Sequence, residues 1–259
     1  MENGSVQSLD RAFMLLELLC QSPKGLAIHE LTQQTGLNKS TVHRLLATML
    51  RWGYVQRSEN AVYRAGMRIC ELGDYIQQNL DIIDLARAPM EKLSRDTGET
   101  VHLVEWDGDE IVYIYKVESI HGAIRMVSRI GMRRPLYCTG VGKAMLACRE
   151  DEEILTYWNR VEHTAFTSQT IVQQDVFMRE IRAIRARGFA EDNEENELGV
   201  RCAAAPIRDR HGEARYAVSV SAPLSRMPDE RIAELTPMLL KTVGEISDFL
   251  GYHQQPDAQ

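Results

Sequence analysis

The stretch LAIHELTQQTGLNKSTVHRLL, residues 26–46, decides how this chain is read. Its apolar residues fall into two sets at helical spacing. Ile28, Leu31 and Thr32 lie at i, i+3 and i+4, and Val42, Leu45 and Leu46 repeat the pattern, so each set makes one face of a 3.6-residue period. Between them, Gly36 can take the positive φ of a helix end, Leu37 fills the gap between the helices, and Asn38 can cap the second helix. That second helix places Lys39, Ser40, Thr41, His43 and Arg44 on its outward side or first turn. These are hydrogen-bond donors and cations with little reason to be buried, and a helix so decorated fits a major groove. A plain helical hairpin in a bundle would show the same spacing, so the flanks have to decide.

Both flanks favour a DNA-binding module. Downstream, Trp52-Gly53-Tyr54-Val55 and Ala61-Val62-Tyr63-Arg64 read as two short strands around a polar turn at Asn60. A β-wing there would add a backbone-directed surface, with Arg64 on a phosphate. Upstream, Ser8 or Asp10 can cap a first helix with the apolar stripe Ala12, Leu15, Leu16, Leu18 and Leu19, ended by Ser22-Pro23-Lys24-Gly25. Charge agrees: residues 1–68 carry a net +3 and residues 69–259 a net −10, so the overall −7 hides a basic front on an acidic body.

The order of first helix, helix-turn-helix, wing and longer body resembles the isocitrate-lyase-regulator (IclR) family of bacterial transcription factors. Four segments carry the resemblance in order: LNKSTVHRLL (37–46), PLYCTGVGKAML (135–146), EDNEENELGVRCAAAP (191–206) and YAVSVSAP (216–223). The subgroup it is most similar to controls sugar-acid and plant-derived carbohydrate breakdown. The resemblance implies a winged helix-turn-helix domain over residues 5–68, a linker helix over 69–81, and a GAF-like effector-binding domain over 82–252. It also implies double-stranded operator DNA as partner and a homodimer or homotetramer as the working form.

Length and composition fit two domains: 259 residues, 44% hydrophobic and 26% charged, match an ordinary globular protein. The N-terminus lacks a cationic start followed by an apolar run, and no segment approaches the roughly 18 apolar residues of a membrane span, so the expected location is the cytoplasm, with no membrane partner. Five cysteines, odd in number and without a CxxC pair, point to small buried thiols rather than disulfides or a zinc site. Residues 67–83 form a helical run whose stripe of Ile69, Leu72, Ile76, Leu80 and Ile83 has no core of its own; it either packs on its own body or pairs with a second copy. Pro89 should kink or restart the helix within 82–97, and Gly98 should stop it.

From Glu99 the period changes to two. Residues 101–103 and 111–117 flank the hairpin signal Asp107-Gly108-Asp109, and a third strand is expected over 125–130. A glycine-containing loop over 135–143 should run into a helix over 143–148. Another helix is expected over 173–187, strands over 202–207 and 214–222, and a last helix over 229–250. Antiparallel strands framed by helices predict an α+β sheet domain.

Three places in this body could carry chemistry. The Gly-x-Gly-Lys of residues 140–143 invites a phosphate-loop reading, but Tyr137 stands where that loop needs glycine and Ala144 where it needs Ser or Thr. What remains is a set of amides ahead of a helix, suited to a small carboxylate, or simply a structural glycine turn. Residues 191–197 hold five acids without the order of a calcium loop, so a solvated loop is expected. Asp192, directly after a predicted strand end, is the exception that could accept a ligand hydroxyl. Ser219 and Ser221 share one side of a strand and need partners there. By resemblance, the family's effector pocket falls on the backbone of Gly140 and Val141, on Asp192 and Cys202, and on Ser219 and Ser221, with Arg134 where some members carry an apolar residue.

The expectation is a regulator, read as a repressor, of a carbohydrate-catabolic operon, with operator binding modulated by a small carboxylate such as a sugar acid or keto acid. No cofactor or metal is implied. The alternative is a small-molecule-binding enzyme on a GAF-like domain; G-x-S-x-G and H-E-x-x-H are absent, and an enzyme leaves the basic front unexplained.

Overall fold

Local capping sets the helices of the first part of the chain. The computed structural model describes residues 6–78, 81–119 and 128–252, and contacts divide the chain into two units, Met1–Leu80 and Asp81–Gln259. The first unit comprises α1 (Gln7–Cys20), β1 (Leu26–Ala27), α2 (Ile28–Thr35), α3 (Lys39–Arg51), β2 (Val55–Arg57), β3 (Val62–Ala65) and α4 (Arg68–Gln78). Gly36 ends α2 at φ 68°, and Asn38 caps α3 by accepting the Thr41 amide at 2.9 Å. Leu15, Leu19, Leu31, Val42, Leu46, Met49, Val55 and Tyr63 close one core. The strands pair in the order β1-β3-β2, so Leu26 and Ala27 add a third strand to the expected two-stranded wing.

Three expectations in this part need correction. Val6, not Ser8 or Asp10, stands at the N-cap of α1, because the helix starts a turn earlier than its polar residues suggest. The run over 67–83 is two helices: α4 is described over Arg68–Gln78, and Asp81, in an extended conformation, starts α5 (Ile82–Thr97) by accepting the Ile83 amide at 2.9 Å. Pro89 therefore lies inside α5, and Gly98 ends it at φ 75°. Of the five free cysteines, Cys20 and Cys70 are exposed, Cys148 and Cys202 half-buried and Cys138 buried. Cys20 lies off the Leu15–Leu19 stripe, at the very end of its helix.

The second unit continues with β4 (Thr100–Asp107), β5 (Glu110–Val117), β6 (Arg133–Pro135), α6 (Gly140–Leu146), α7 (Asp151–Arg160), α8 (Gln174–Arg187), β7 (Ala190–Asn193), β8 (Val200–Ile207), β9 (Tyr216–Pro223) and α9 (Asp229–Phe249). The six strands form one antiparallel sheet in the order β6-β5-β4-β9-β8-β7. One face, with Val101, Leu103, Ala203, Ala205, Val218 and Val220, packs on α5 and α9. The opposite face, with Val104, Ile111, Ala190, Ala204 and Ala217, packs on α6, α7 and α8. This is the α+β architecture the strand pattern predicts.

Here too the structure departs from the sequence reading. The edge strand is Arg133–Pro135; residues 125–127 of the expected strand lie outside the described residues, and 128–130 are not in a strand. Of the expected glycine loop, Pro135 ends β6 and residues 136–139 form the turn, but residues 140–143 are the first turn of α6, which begins at Gly140 with Thr139 capping it through the Gly142 amide. Residues 191–193, the start of the expected acidic loop, lie in the edge strand β7, with Asp192 paired opposite Cys202.

Candidate DNA interface and ligand site

On α3, Leu46, Val42 and Met49 face the core, which turns Lys39, Ser40, His43 and Arg44 outward and leaves Thr41 half-exposed. Asn38 Oδ1 is engaged twice, by the Thr41 amide and by Ser40 Oγ at 2.8 Å, so its carbonyl serves the helix rather than a partner. Arg64 crosses to the carbonyl of Lys24 at 3.1 Å. Gly25, at φ 76°, lets that strand pass: a Cβ there would come within 2.5 Å of Arg64 Cγ. Among the described residues, Arg68 with Glu71 makes the one carboxylate ion pair of residues 6–68. Arg11, Lys24, Lys39, Arg44, Arg51, Arg57 and Arg64 have none, whereas most cations of the second unit are paired, as in Arg133 with Asp107 and Arg226 with Glu99. The basic front keeps its charge uncommitted, as a phosphate-binding surface requires.

The ligand site follows from register. Across β4, β9 and β8, His102 stands opposite Ser219 and Ser219 opposite Ala204; in the next row, Thr100 stands opposite Ser221, Ser221 opposite Cys202, and Cys202 opposite Asp192. Paired residues and those two apart share a face. All these side chains therefore lie on the face that carries Val104 and Ala217, but at its other end. One end of this face is apolar core and the other is a polar patch.

Within the patch the hydroxyls are loosely held. His102 Nδ1 lies 3.4 Å from Ser219 Oγ and 3.3 Å from Ser221 Oγ, and the two serine oxygens are 3.4 Å apart. Such distances are at the weak limit of hydrogen bonding. The other ring nitrogen of His102 is fixed by Ser128 Oγ at 2.8 Å, and Tyr113 stands edge-on to the ring. Burial, aided by the nearby Lys116 cation, lowers the His102 pKa to about 3, which keeps the imidazole neutral. The Cys202 thiol is driven up by burial, so it remains protonated.

Asp192 is the most perturbed acid of the patch. Burial first and the neighbouring Glu195 second raise its pKa to about 7, against the opposing pull of Lys143 and of the Glu195 and Asn196 amides that bond its Oδ1 at 2.8 and 3.3 Å. Lys143, only 1% exposed, is paired with Glu195, and Glu195 Oε2 has no hydrogen-bond partner among the described residues. Gly140 fits tightly over this corner: a Cβ would lie 3.3 Å from both Ala204 Cβ and the Asp192 nitrogen. Gly142 is closer still, since its Cβ would meet the Leu136 carbonyl at 2.2 Å. With the Gly142 amide given to Thr139 Oγ1 and the Lys143 amide to Thr139 O, the N–H groups of Gly140 and Val141 have no acceptor among the described residues.

The structure thus gathers Gly140, Asp192, Cys202, Ser219 and Ser221 into one patch; the Val141 side chain is buried in the apolar cluster, leaving its amide as the relevant group. Sequence reasoning missed His102, Tyr113 and the Lys143–Glu195 pair. The polar pair Thr100 and His102, two apart in an apolar strand, was the available signal. Arg134, opposite Ile111, lies on the same face. Among the described residues no group of three or more His, Cys, Asp or Glu side chains could hold a metal ion, and no helix is long and apolar enough to cross a membrane.

Comparison with known proteins matches this architecture at both ends. The profile described as the IclR helix-turn-helix domain matches residues 8–59, and that described as the bacterial transcriptional regulator IclR C-terminal matches residues 75–248. The chain is 40% identical to the HTH-type transcriptional regulator KdgR of Escherichia coli K12, over 97% of this chain and 95% of that one. It is 35% identical to the transcriptional repressor IclR of the same organism, covering 94% and 90%. Among solved structures, the Agobacterium tumefaciens repressor BlcR aligns over 97% of this chain and 100% of its own at a TM-score of 0.81 and 30% identity.

Proposed function

The chain belongs to the IclR family of DNA-binding transcriptional regulators, and we propose that it represses a carbohydrate-catabolic operon under control of a small carboxylate effector. The observation that carries the effector reading is the polar end of the sheet face. Open amides at Gly140 and Val141 suit a carboxylate. Asp192 and Cys202 line one side, and Ser219 and Ser221 offer hydroxyls whose present bonds are long enough to exchange for a ligand's. A carboxylate at one end with hydroxyl or keto oxygens beyond it, as in a sugar acid or keto acid, satisfies that set. Repressor action is supported by relatives that carry the word in their names. Regulation rather than catalysis is supported by relatives named as regulators, and the cytoplasm is the compartment where such a protein meets its operator.

On the DNA side, the reading places Asn38, Lys39, Ser40, Thr41, His43 and Arg44 in or beside the major groove and Arg64 on the backbone. A dimer through α1 and α4, or a tetramer built from it, would present two such helices to a partly palindromic operator. Leu9 and Phe13 on α1, with Val6 at its N-cap, are exposed and suit such a contact. Of the linker stripe, the side chain of Ile76 and the whole of Leu80 lie outside the described residues.

The test is Ser219→Ala with Ser221→Ala, read by gel shift on the duplex upstream of the gene while sugar acids and keto acids are titrated. The effector response should disappear and effector-free DNA binding should persist. A double variant that responds at the wild-type ligand concentration would show the serines to be structural.

A further inference from the structure

On α1 the residues Ser8, Arg11, Leu15 and Leu19 follow one another at spacings of three, four and four, so they share a face. Leu15 and Leu19 are buried in the core of the first unit. Toward the start of the helix the same face turns polar, and there it lies against α3. Ser8 and Arg11 with Thr41, Arg44, Leu45 and Thr48 line a cleft of about 200 Å³. That is below the roughly 300–1,000 Å³ typical of sites for drug-sized ligands, and it suits a single small anion.

Two guanidinium groups share this cleft, and neither has a hydrogen-bond or ion-pair partner for its side chain among the described residues. Like charges lining one small space repel unless an anion lies between them. The beginning of α1 adds donors. Val6 has no side chain that can accept at the cap, and its carbonyl takes the amides of Leu9 and Asp10 at 2.7 and 3.2 Å. The amides of Gln7 and Ser8 then have no acceptor among the described residues, and a helix start favours negative charge. Around α3, Lys39, Ser40 and His43 occupy one outward face, while Thr41, Arg44 and Thr48 occupy the adjacent one that turns toward α1.

We propose that this cleft seats one phosphate of the DNA backbone, clamped between Arg11 and Arg44 with the hydroxyls of Ser8 and Thr41 beside it. The proposal rests on the placement of α3 in the major groove. It adds α1 to the DNA interface and assigns Arg44 to the backbone, leaving base edges to Lys39, Ser40 and His43. The seat fixes the depth and angle at which α3 enters the groove, because phosphate contacts set register without reading sequence.

The full-length protein tests this with Arg11→Gln, Arg44→Gln, their double variant, Arg11→Lys, and Lys241→Gln as a control in the second unit. Binding to the duplex upstream of the gene and to a random duplex is followed against salt. Each Gln variant should weaken both duplexes by the same factor, on the order of tenfold, and reduce the slope of log K against log salt by about 0.9. The double variant should lose no more slope than either single one, because the two arginines share one phosphate. Arg11→Lys should retain the slope, and Lys241→Gln should match the wild type. A single methylphosphonate linkage scanned along the operator should reproduce the loss at one position per half-site and have no further effect on Arg11→Gln. Wild-type affinity and slope in Arg11→Gln would overturn the seat. So would an Arg44→Gln variant that loses the operator alone, since Arg44 would then read a base. Stabilisation of the wild type by inorganic phosphate, lost in Arg11→Gln without a change in DNA binding, would assign the cleft to a free anion instead. Failure of the wild type to bind either duplex would reject the groove placement itself.

Discussion

Replacing Asp192 by asparagine should make the protein's stability less sensitive to a rise in pH from about 4 to about 7, and the size of the effect follows from the burial of that carboxyl. The amide side chain keeps an oxygen for the N–H groups of Glu195 and Asn196, so the turn they make with residue 192 is preserved. What is lost is the titration. In the unfolded chain Asp192 releases its proton near 3.8, and in the folded chain near 7. Between those values the folded state holds one proton more than the unfolded state, so stability falls as pH rises across the window. At about 1.36 kcal/mol per pH unit, that window gives a ceiling of about 4 kcal/mol, and adjustment of the Lys143–Glu195 pair lowers the expected change to about 2–4 kcal/mol. The neutral His102 works in the opposite direction, since its folded pKa of about 3 lies below the usual 6.5 and stability is lost as pH falls through that interval. It is present in both proteins and cancels in their difference. Urea unfolding at half-unit steps from about pH 4.5 to 8 should therefore show the Asp192→Asn variant gaining on the wild type as pH rises. A difference that stays flat, or shrinks with pH, would refute the account of Asp192 as a carboxyl kept protonated by burial.

Three further outcomes are expected. Lys143→Met leaves Glu195 buried with neither oxygen partnered and should cost about 3–5 kcal/mol, while adding Glu195→Met should recover most of it; a double variant as unstable as the single one would contradict this. Gly142→Ala, whose Cβ would meet the Leu136 carbonyl at 2.2 Å, should lower the melting temperature more than Gly140→Ala at 3.3 Å, and the reverse order would show that the backbone of α6 yields more easily than this packing implies. Light scattering should give at least a dimer, and Leu9→Asp with Phe13→Asp should dissociate it; a wild-type monomer at micromolar concentration would exclude the α1 contact.

Much of this fold is legible because its boundaries are local. Gly36, Asn38, Gly98 and Gly188 end or start helices through chemistry contained in a few residues, and each does so in the structure. The failures have non-local causes. Residues 191–193 show no strand spacing within their run of acids, so their place in β7 and the burial of Asp192 come from pairing beside Cys202 and from Gly140 lying over that corner. His102 is 117 residues from Ser219, so nothing in its neighbourhood in the chain signals that a pair of hydroxyls stands opposite. Helix α7 escapes the sequence reading, although Ile154, Tyr157 and Trp158 show the spacing, because its flanks carry no glycine or asparagine stop. Val6 escapes it as a cap because it caps with its carbonyl alone.

The two ends of one sheet face explain why the candidate site is worth its energetic cost. Strands β4 and β9 supply both ends, and at the apolar end Val104 and Ala217 pack into the core with α6 and α8 with no polar side-chain atom to satisfy. Continuing that pattern through positions 102, 192, 202, 219 and 221 would bury more apolar surface, at about 25 cal/mol per Å². Instead the chain places there a neutral imidazole, two hydroxyls with long bonds, a thiol and a carboxyl that resists ionisation. Each polar group held in this way lowers stability relative to an apolar side chain of similar volume. Adjacent to an ordinary core and on the same strands, such a departure is not explained by folding, since local choices that oppose the fold are expected where function requires them. A ligand that brings one carboxylate to the open amides of Gly140 and Val141 and oxygen atoms to Ser219 and Ser221 would satisfy these groups together. Its binding would recover the stability given up in building the patch.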